Sequence, residues 1–288
     1  MATLREIRRR IQSVRNISHV TRAMEAVAAS KMRRAQAQTL ASRAYAQKAW
    51  EMLSYLAIYA REAPLHPLLQ EREPVERIAL VLVTPDRGLC GGLPTSIIHR
   101  AVRFIQEQRV PVELITVGRK GRDFMLRHGP PIHADFTGIP DSPSLVDVTP
   151  IARLAIDGFL EGTFDQVYLC YADFVNVLTQ RPVVRRLLPI VPAVEVPWRI
   201  VDYIFEPDPA TILGEVVPRF TQLQVYQAIL EALASEHSAR MVAMRNATDN
   251  AEALIEDLTL TFNKARQEAI TKEMMDIAGG AEALAKAR

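Results

Sequence analysis

Residues 223–258 read LQVYQAILEALASEHSARMVAMRNATDNAEALIEDL, a run without proline or glycine. The gap in helix breakers is wider still. None occurs between Pro218 and Gly279, and none before Pro64, so all 18 prolines fall within residues 64–218. Proline removes a backbone donor and clashes inside a helix, and glycine costs backbone entropy there. Helices of globular proteins average about 11–12 residues. The absence of breakers from both ends therefore predicts two very long helices flanking a different kind of middle, and two such helices in one chain are expected to pair.

The spacing of apolar residues supports the pairing. In the C-terminal stretch, Leu223, Tyr226, Leu230, Leu233 and His237 step by 3, 4, 3 and 4. Met244, Ala247, Ala251, Leu254 and Leu258 follow, and Phe262, Ala265 and Ala269 continue after an expected one-residue slip. Near the N-terminus Leu4, Ile7, Ile11 and Val14 step by 3, 4 and 3, behind Thr3 and Glu6 at capping-box spacing. This is the narrow seam of a coiled coil. Beyond Ile17 an alanine-rich seam is expected, from Ala23, Ala26, Ala28, Ala29, Ala35, Ala37, Ala41 and Ala44. Sixty residues at about 1.5 Å each would give a rod of roughly 90 Å. An antiparallel hairpin closed by the middle region is the simplest topology.

The net charge of +2 conceals an asymmetry. Up to residue 61 there are 12 Lys and Arg against 3 Asp and Glu, a balance of +9; the remainder carries 23 basic and 30 acidic residues, a balance of −7. The basic first helix is either a solvated face helped by the acidic remainder or a surface for an acidic partner. A cleaved Arg-rich leader is not favoured, because the helical pattern runs through Met24 and past Trp50. The apolar runs are too short to span a bilayer. Two cysteines, Cys90 and Cys170, make neither a disulfide framework nor a metal cluster.

Residues 78–218 read as an α/β domain. Ile78–Val83, Val112–Val117 and Gln166–Ala172 look like buried parallel strands. Helical patterns lie near Ser96–Gln108, Gly121–His128 and Val148–Leu160. Val183–Pro189 and Trp198–Phe205 suggest further strands, and Gly129–Pro150 an exposed loop. Two glycine turns, Asp86–Gly92 and Gly118–Gly121, lack the spacing that cradles a phosphate. Their glycines are expected to serve backbone geometry, and Cys90 to be a small buried side chain. No catalytic constellation and no cofactor-binding or metal-binding residues stand out. Domain bounds of 1–62, 75–205 and 209–288 follow for the first helix, the central Rossmann-like domain and the last helix.

Three segments carry a family resemblance. Residues 11–36, from Ile11 through Met24 and Met32 to Gln36, resemble the N-terminal helix of the γ subunit of F-type ATP synthase. Asp86-Arg-Gly-Leu-Cys-Gly-Gly92 is similar to that family's turn after the first strand, and residues 235–251 and 263–273 to its C-terminal helix. Order and spacing agree along the whole chain. His19 and Leu93-Pro94 depart from the usual pattern, the proline altering the start of the following helix, and the cysteine insertion of chloroplast members is absent.

The resemblance implies a non-catalytic central-stalk rotor that transmits torque between a membrane ring of c subunits and a ring of α and β subunits, in ATP synthesis coupled to proton transport. It implies α, β and ε subunits and the c-ring as partners, no cofactor, no nucleic acid, and a peripheral position at the cell membrane on its cytoplasmic side. It assigns Met24, Arg240, Arg266, Gln267 and Thr271 to contact with β subunits and Tyr203 to the foot near the c-ring. A nucleotide-binding α/β enzyme with a helical dimerisation hairpin would instead want a phosphate loop, and a nucleic-acid-binding coiled coil would want aromatics among its basic residues.

Overall fold

The computed structural model describes residues 3–59, 66–190 and 209–286. Tyr203 and the strand expected over Trp198–Phe205 lie outside them. The chain divides into two compact units, one from Met1–Val27 with Met241–Arg288, the other from Ala28–Arg240. The long helices α1 (Leu4–Tyr59) and α5 (Pro209–Lys286) each contribute to both units.

The larger unit is built on a five-stranded sheet. Its strands are β1 (Ile78–Val83), β2 (Val112–Val117), β3 (Ile132–Phe136), β4 (Gln166–Phe174) and β5 (Gln180–Leu188), in the order β3-β2-β1-β4-β5. The first four are parallel and β5 returns antiparallel on β4. Helices α2 (Leu93–Glu107), α3 (Arg119–His128) and α4 (Leu145–Leu160) make the crossovers. All six residues of β1 are buried, which explains its unbroken apolar run. Alternate side chains serve opposite faces, as the two-residue period of a strand requires. Ile78, Leu80 and Leu82 join α2 and α3 in one core, while Ala79, Val81 and Val83 join α4 and α5 in the other.

Gly129–Pro150 is not all loop. It contains β3, and α4 begins at Leu145. The strand is an edge with an alternating, half-exposed pattern, so it lacks the apolar run that marks buried strands. At the start of α4 the Asp147 carboxylate accepts hydrogen bonds from the backbone N–H and the hydroxyl of Ser144, both at 2.7 Å, and Pro150 is accommodated inside the helix. Pro94 sits in the first turn of α2, where a missing N–H costs nothing, so that helix begins at Leu93. Helix α5 likewise continues through Pro218 and reaches back to Pro209.

Where α5 packs on the sheet it buries a face broader than the seam 223–237, of which Leu230 and His237 are fully buried. Val217, Phe220, Val225, Ala228 and Ile229 enter the core, whereas Leu223 and Leu233 are only partly buried. A sheet presents a wide apolar surface, and a wide helical face answers it.

In the smaller unit α1 and α5 run antiparallel. Thr3 and Glu6 form the capping box, with Thr3 N–H donating to Glu6 Oε2 at 2.8 Å and Glu6 N–H to Thr3 Oγ1 at 3.3 Å. Thr21 meets Thr248 and Glu25 meets Arg245, so rising numbers on one helix face falling numbers on the other. The buried stripe of α1 is Leu4, Ile7, Ile11, Val14, Ser18 and Thr21, an uninterrupted alternation of 3 and 4. On α5 it is Met244, Thr248, Ala251, Ile255, Leu258, Phe262 and Ala265, also uninterrupted. The expected phase slip does not occur: Thr248 and Ile255 hold the seam in place of Ala247 and Leu254, and Leu254 is 41% exposed. Nor do the alanines of α1 form one stripe. Ala28 and Ala35 are buried, but Ala23, Ala26, Ala37 and Ala41 face solvent, and Ala44 lies among side chains outside the description.

Candidate partner-contact site

The larger unit shows what its two glycine turns do. Gly118 has φ +94, and a Cβ there would sit 1.9 Å from the carbonyl oxygen of Thr84. A Cβ on Gly121 would lie 2.8 Å from Thr84 Oγ1, the atom to which Gly121 N–H donates at 2.8 Å. Both glycines let the start of α3 press against the end of β1. Their task is close packing.

The other turn, Asp86–Gly92, follows β1 at the carboxyl ends of the parallel strands. Strand order reverses there, between β1 and β4, and open sheets of this type commonly bind ligands at such a point. This chain covers it with its own helix. Ser235 Oγ donates to the carbonyl of Ala172 in β4 at 3.0 Å. The Arg240 guanidinium donates to the carbonyls of Gly88 at 3.2 Å and Arg87 at 3.5 Å, and to Glu236 Oε1 at 2.7 Å. Only 13% and 14% of the Arg240 and Glu236 side chains are exposed. Burial pushes the Glu236 carboxyl above its ordinary range, and the Arg240 charge only partly offsets this. Burial also raises the thiols of Cys90 and Cys170, the latter to about 12, so neither is a thiolate nucleophile at neutral pH.

A second set of polar residues ties the loop after β3 to both long helices within this unit. Lys31 Nζ donates to Asp141 Oδ2 at 2.6 Å, Tyr226 OH to Pro143 O at 3.1 Å, and Gly138 N–H to Asp86 Oδ2 at 2.8 Å. His237 Nε2 stands 3.6 Å from Asp141 Oδ1. Its side chain is 2% exposed, neither ring nitrogen has a hydrogen-bond partner, and burial lowers its pKa to about 4. It is therefore neutral. Burial alone would raise the Asp141 carboxyl, but the hydrogen bond and charge of Lys31 outweigh it and hold the group low.

In the smaller unit, polar residues on the flanks of the seam pair across it. Arg22 bonds Glu252, and Arg245 Nε donates to Glu25 Oε1 at 3.0 Å. The rest of the basic face of α1 stays outward: Arg5, Arg8, Arg9 and Arg15 are exposed and form no ion pair with another described residue. The pairing within the chain accords with a face helped by the acidic remainder. Some of its charge is satisfied within the chain, and most is presented outward.

The sequence-assigned residues divide between the two units. Met24 is half-buried on α1, while Arg266, Gln267 and Thr271 are exposed along α5, near the end of the stretch that faces α1. These four lie in the smaller unit, and Arg240 lies in the larger with its guanidinium turned inward. The sequence reading missed Glu236 and Asp141, and gave His237 only a place in the seam. The usable signal was Glu236 at i−4 from Arg240. From residue 266 to 279 every side chain is exposed, including Ile270, Met274, Met275 and Ile277 at 49–70%. Ile17, Val20 and Val27 on α1 are likewise 54–59% exposed. Among the described residues no helix is long and apolar enough to cross a membrane.

Residues 3–284 match a family model described as ATP synthase. The chain is 52% identical over 286 residues to the ATP synthase gamma chain of Dehalococcoides mccartyi, covering 99% of this chain and 100% of that one. It is 52% identical over 289 residues to the gamma chain of a Roseiflexus species, again covering 99% and 100%. Among solved structures it is similar to a chain of the central stalk and c-ring of Tetrahymena thermophila mitochondrial ATP synthase, with a TM-score of 0.60, 26% identity, and coverage of 79% of this chain and 99% of that one.

Proposed function

The chain belongs to the ATP synthase gamma chain family, whose members are non-catalytic central-stalk rotor subunits, and from that premise we propose how its surfaces meet the rest of the machine. The paired helices of the smaller unit stand within a ring of α and β subunits. Met24, Arg266, Gln267 and Thr271 meet β directly, and Arg240 acts from the larger unit. The larger unit meets an ε subunit and a membrane ring of c subunits at the foot, with Tyr203 on that side. The complex is membrane-associated, and this chain sits peripherally on the cytoplasmic face of the cell membrane. The bounds 1–62, 75–205 and 209–288 belong to this reading as shaft, foot domain and shaft.

One observation carries it. Helix α5 continues past the start of α1 as a fully exposed stretch that still bears Ile270, Met274, Met275 and Ile277. Apolar side chains of this number on one unaccompanied helix favour an apolar sleeve around them. The Arg266 guanidinium, exposed beside them, suits bidentate pairing with a carboxylate. The exposed arginines of α1 add an outward positive face that fits acidic lever segments.

The test is co-purification. Affinity isolation of the tagged chain from its natural source should bring down α and β subunits in a complex that hydrolyses ATP. A chain that emerges without them would sink the proposed contacts.

A further inference from the structure

Within the larger unit the two long helices are held to the sheet in different ways. Helix α5 is fixed by apolar burial, with Val217, Phe220, Val225 and Ile229 entering the same core as Val81 and Val83 of β1. Helix α1 is not. Its residues Ala28, Met32 and Ala35 are buried, yet they join neither core cluster. The loop after β3 does reach α1, through the Lys31 ammonium on the Asp141 carboxylate at 2.6 Å.

That loop is built to stay in place. Residues 138–143 read GIPDSP, and each proline fixes its own φ. At the near end Gly138 N–H donates to Asp86 Oδ2 at 2.8 Å, and Ile139 packs on the core. At the far end Pro143 is buried, its carbonyl accepts from Tyr226 OH at 3.1 Å, and Ser144 caps α4. Asp141 stands between these anchors. One of its oxygens holds Lys31, and the other faces His237 Nε2 at 3.6 Å. The buried His237 ring makes no hydrogen bond, so the carboxylate is left to Lys31. Tyr226 and His237 lie three turns apart on α5, about 16 Å. The loop is thus a strap that runs along α5 and grips α1 at one ammonium.

We propose that Asp141 is a positioning residue of the rotor: through Lys31 it clasps α1 to the sheet, so that both helices of the shaft turn with the foot. This rests on the central-stalk reading and deepens it. Torque on the sheet reaches α5 across a wide apolar face. It reaches α1 through the strap, and without that grip α1 twists against α5 under load and part of the rotation is lost.

The experiment uses the enzyme assembled with its own partner subunits in lipid vesicles. ATP hydrolysis and proton pumping are read from one sample, beside the unfolding temperature of the free chain. Asp141→Asn and Lys31→Gln should each keep hydrolysis per complex within about twofold of wild type and lower the protons pumped per ATP about threefold, the scale of a half-exposed ion pair. The two changes together should lower pumping no further, because they break one contact. Exchanging the charges, with Lys31→Asp and Asp141→Lys, should restore most of it. Lys31→Cys with Asp141→Cys, bridged by a short reversible dithiol cross-linker, covers the case in which the other variants fold poorly: the bridged enzyme should pump as wild type does, and cutting the bridge should lower pumping again. Full pumping in both single variants overturns the clasp. So does a parallel fall of hydrolysis, pumping and unfolding temperature, which would make Asp141 a folding residue only, and so does pumping that ignores the bridge. A wild-type assembly that does not form, or that hydrolyses ATP without pumping, overturns the central-stalk reading and the clasp with it.

Discussion

The hydroxyls of Thr21 and Thr248 meet at 2.7 Å across the antiparallel helices. Each also lies near a backbone carbonyl of its own helix, Thr21 at 3.1 Å from Ser18 O and Thr248 at 2.9 Å from Met244 O. Two hydroxyls have two protons for three contacts, so one contact is always without a donor. Thr248→Val should cost about 1 kcal/mol, because it removes the hydroxyl that meets Thr21 across the packed seam. Thr21→Val with Thr248→Val should cost less than the sum of the single changes, since the contact between the two hydroxyls is lost only once. Urea unfolding of the three variants measures this, and strict additivity would show that the contact carries no coupling.

That pair also marks the limit of the sequence reading. Long helices, their pairing and the parallel strands were legible because they rest on repetition: absent breakers, 3–4 spacing and unbroken apolar runs. The true seam of α5 was missed because Thr248 and Ile255 compete with Ala247 and Leu254, and hydrophobicity alone ranks the alanine and leucine first. Edge strand β3 has no apolar run to reveal it. The inward turn of Arg240 depends on the approach of two segments 152 residues apart, which no local pattern records. The exposed contact residues came from family likeness alone, because a solvated arginine and a docking arginine look the same in one sequence.

Gly118 and Gly91 both have positive φ, yet their surroundings differ. A Cβ on Gly118 would meet the Thr84 carbonyl at 1.9 Å, whereas a Cβ on Gly91 would have nothing within 4 Å. Gly91→Ala should therefore cost about 1 kcal/mol, the left-handed penalty alone. Gly118→Ala should cost about 3 kcal/mol or more, because α3 must move off the end of β1. Parallel denaturation curves separate them, and equal costs would refute the close-approach argument.

His237 gives the larger unit an acid sensitivity. Its pKa is about 4 in the folded chain against an ordinary 6.5, so folding favours the neutral ring. The stability this contributes is complete above pH 6.5 and is lost as pH falls from 6.5 toward 4, up to about 3 kcal/mol. Asp141 is the carboxylate nearest the ring and is engaged by Lys31; Glu236 and Arg240 lie on the same helix, and the Arg240 and Lys31 charges oppose protonation of the ring. Glu236, raised by burial, works in the other direction: its contribution is present below about pH 4.5 and lost as pH rises. His237→Gln should flatten the decline between pH 6.5 and 4. Melting temperatures across that window test it, and a variant as acid-labile as the wild type would assign the sensitivity elsewhere.

Arg266 is exposed on α5 and holds no ion pair with another described residue, so removing its guanidinium should leave the free chain folded, with stability changed by less than about 0.5 kcal/mol. In the assembled enzyme the same group is proposed to face a β carboxylate away from bulk water, where a two-pronged ionic hydrogen bond is strong. Arg266→Ala should then lower the protons pumped per ATP hydrolysed several-fold, equivalent to about 1–2 kcal/mol of lost contact, and Arg266→Lys should restore only part of it because an ammonium cannot match the fork. Circular dichroism of the free chain and proton pumping in reconstituted vesicles supply the two readings. Loss of helicity in the free Arg266→Ala chain would make the residue structural, and full coupling in the assembled variant would remove it from the contact surface.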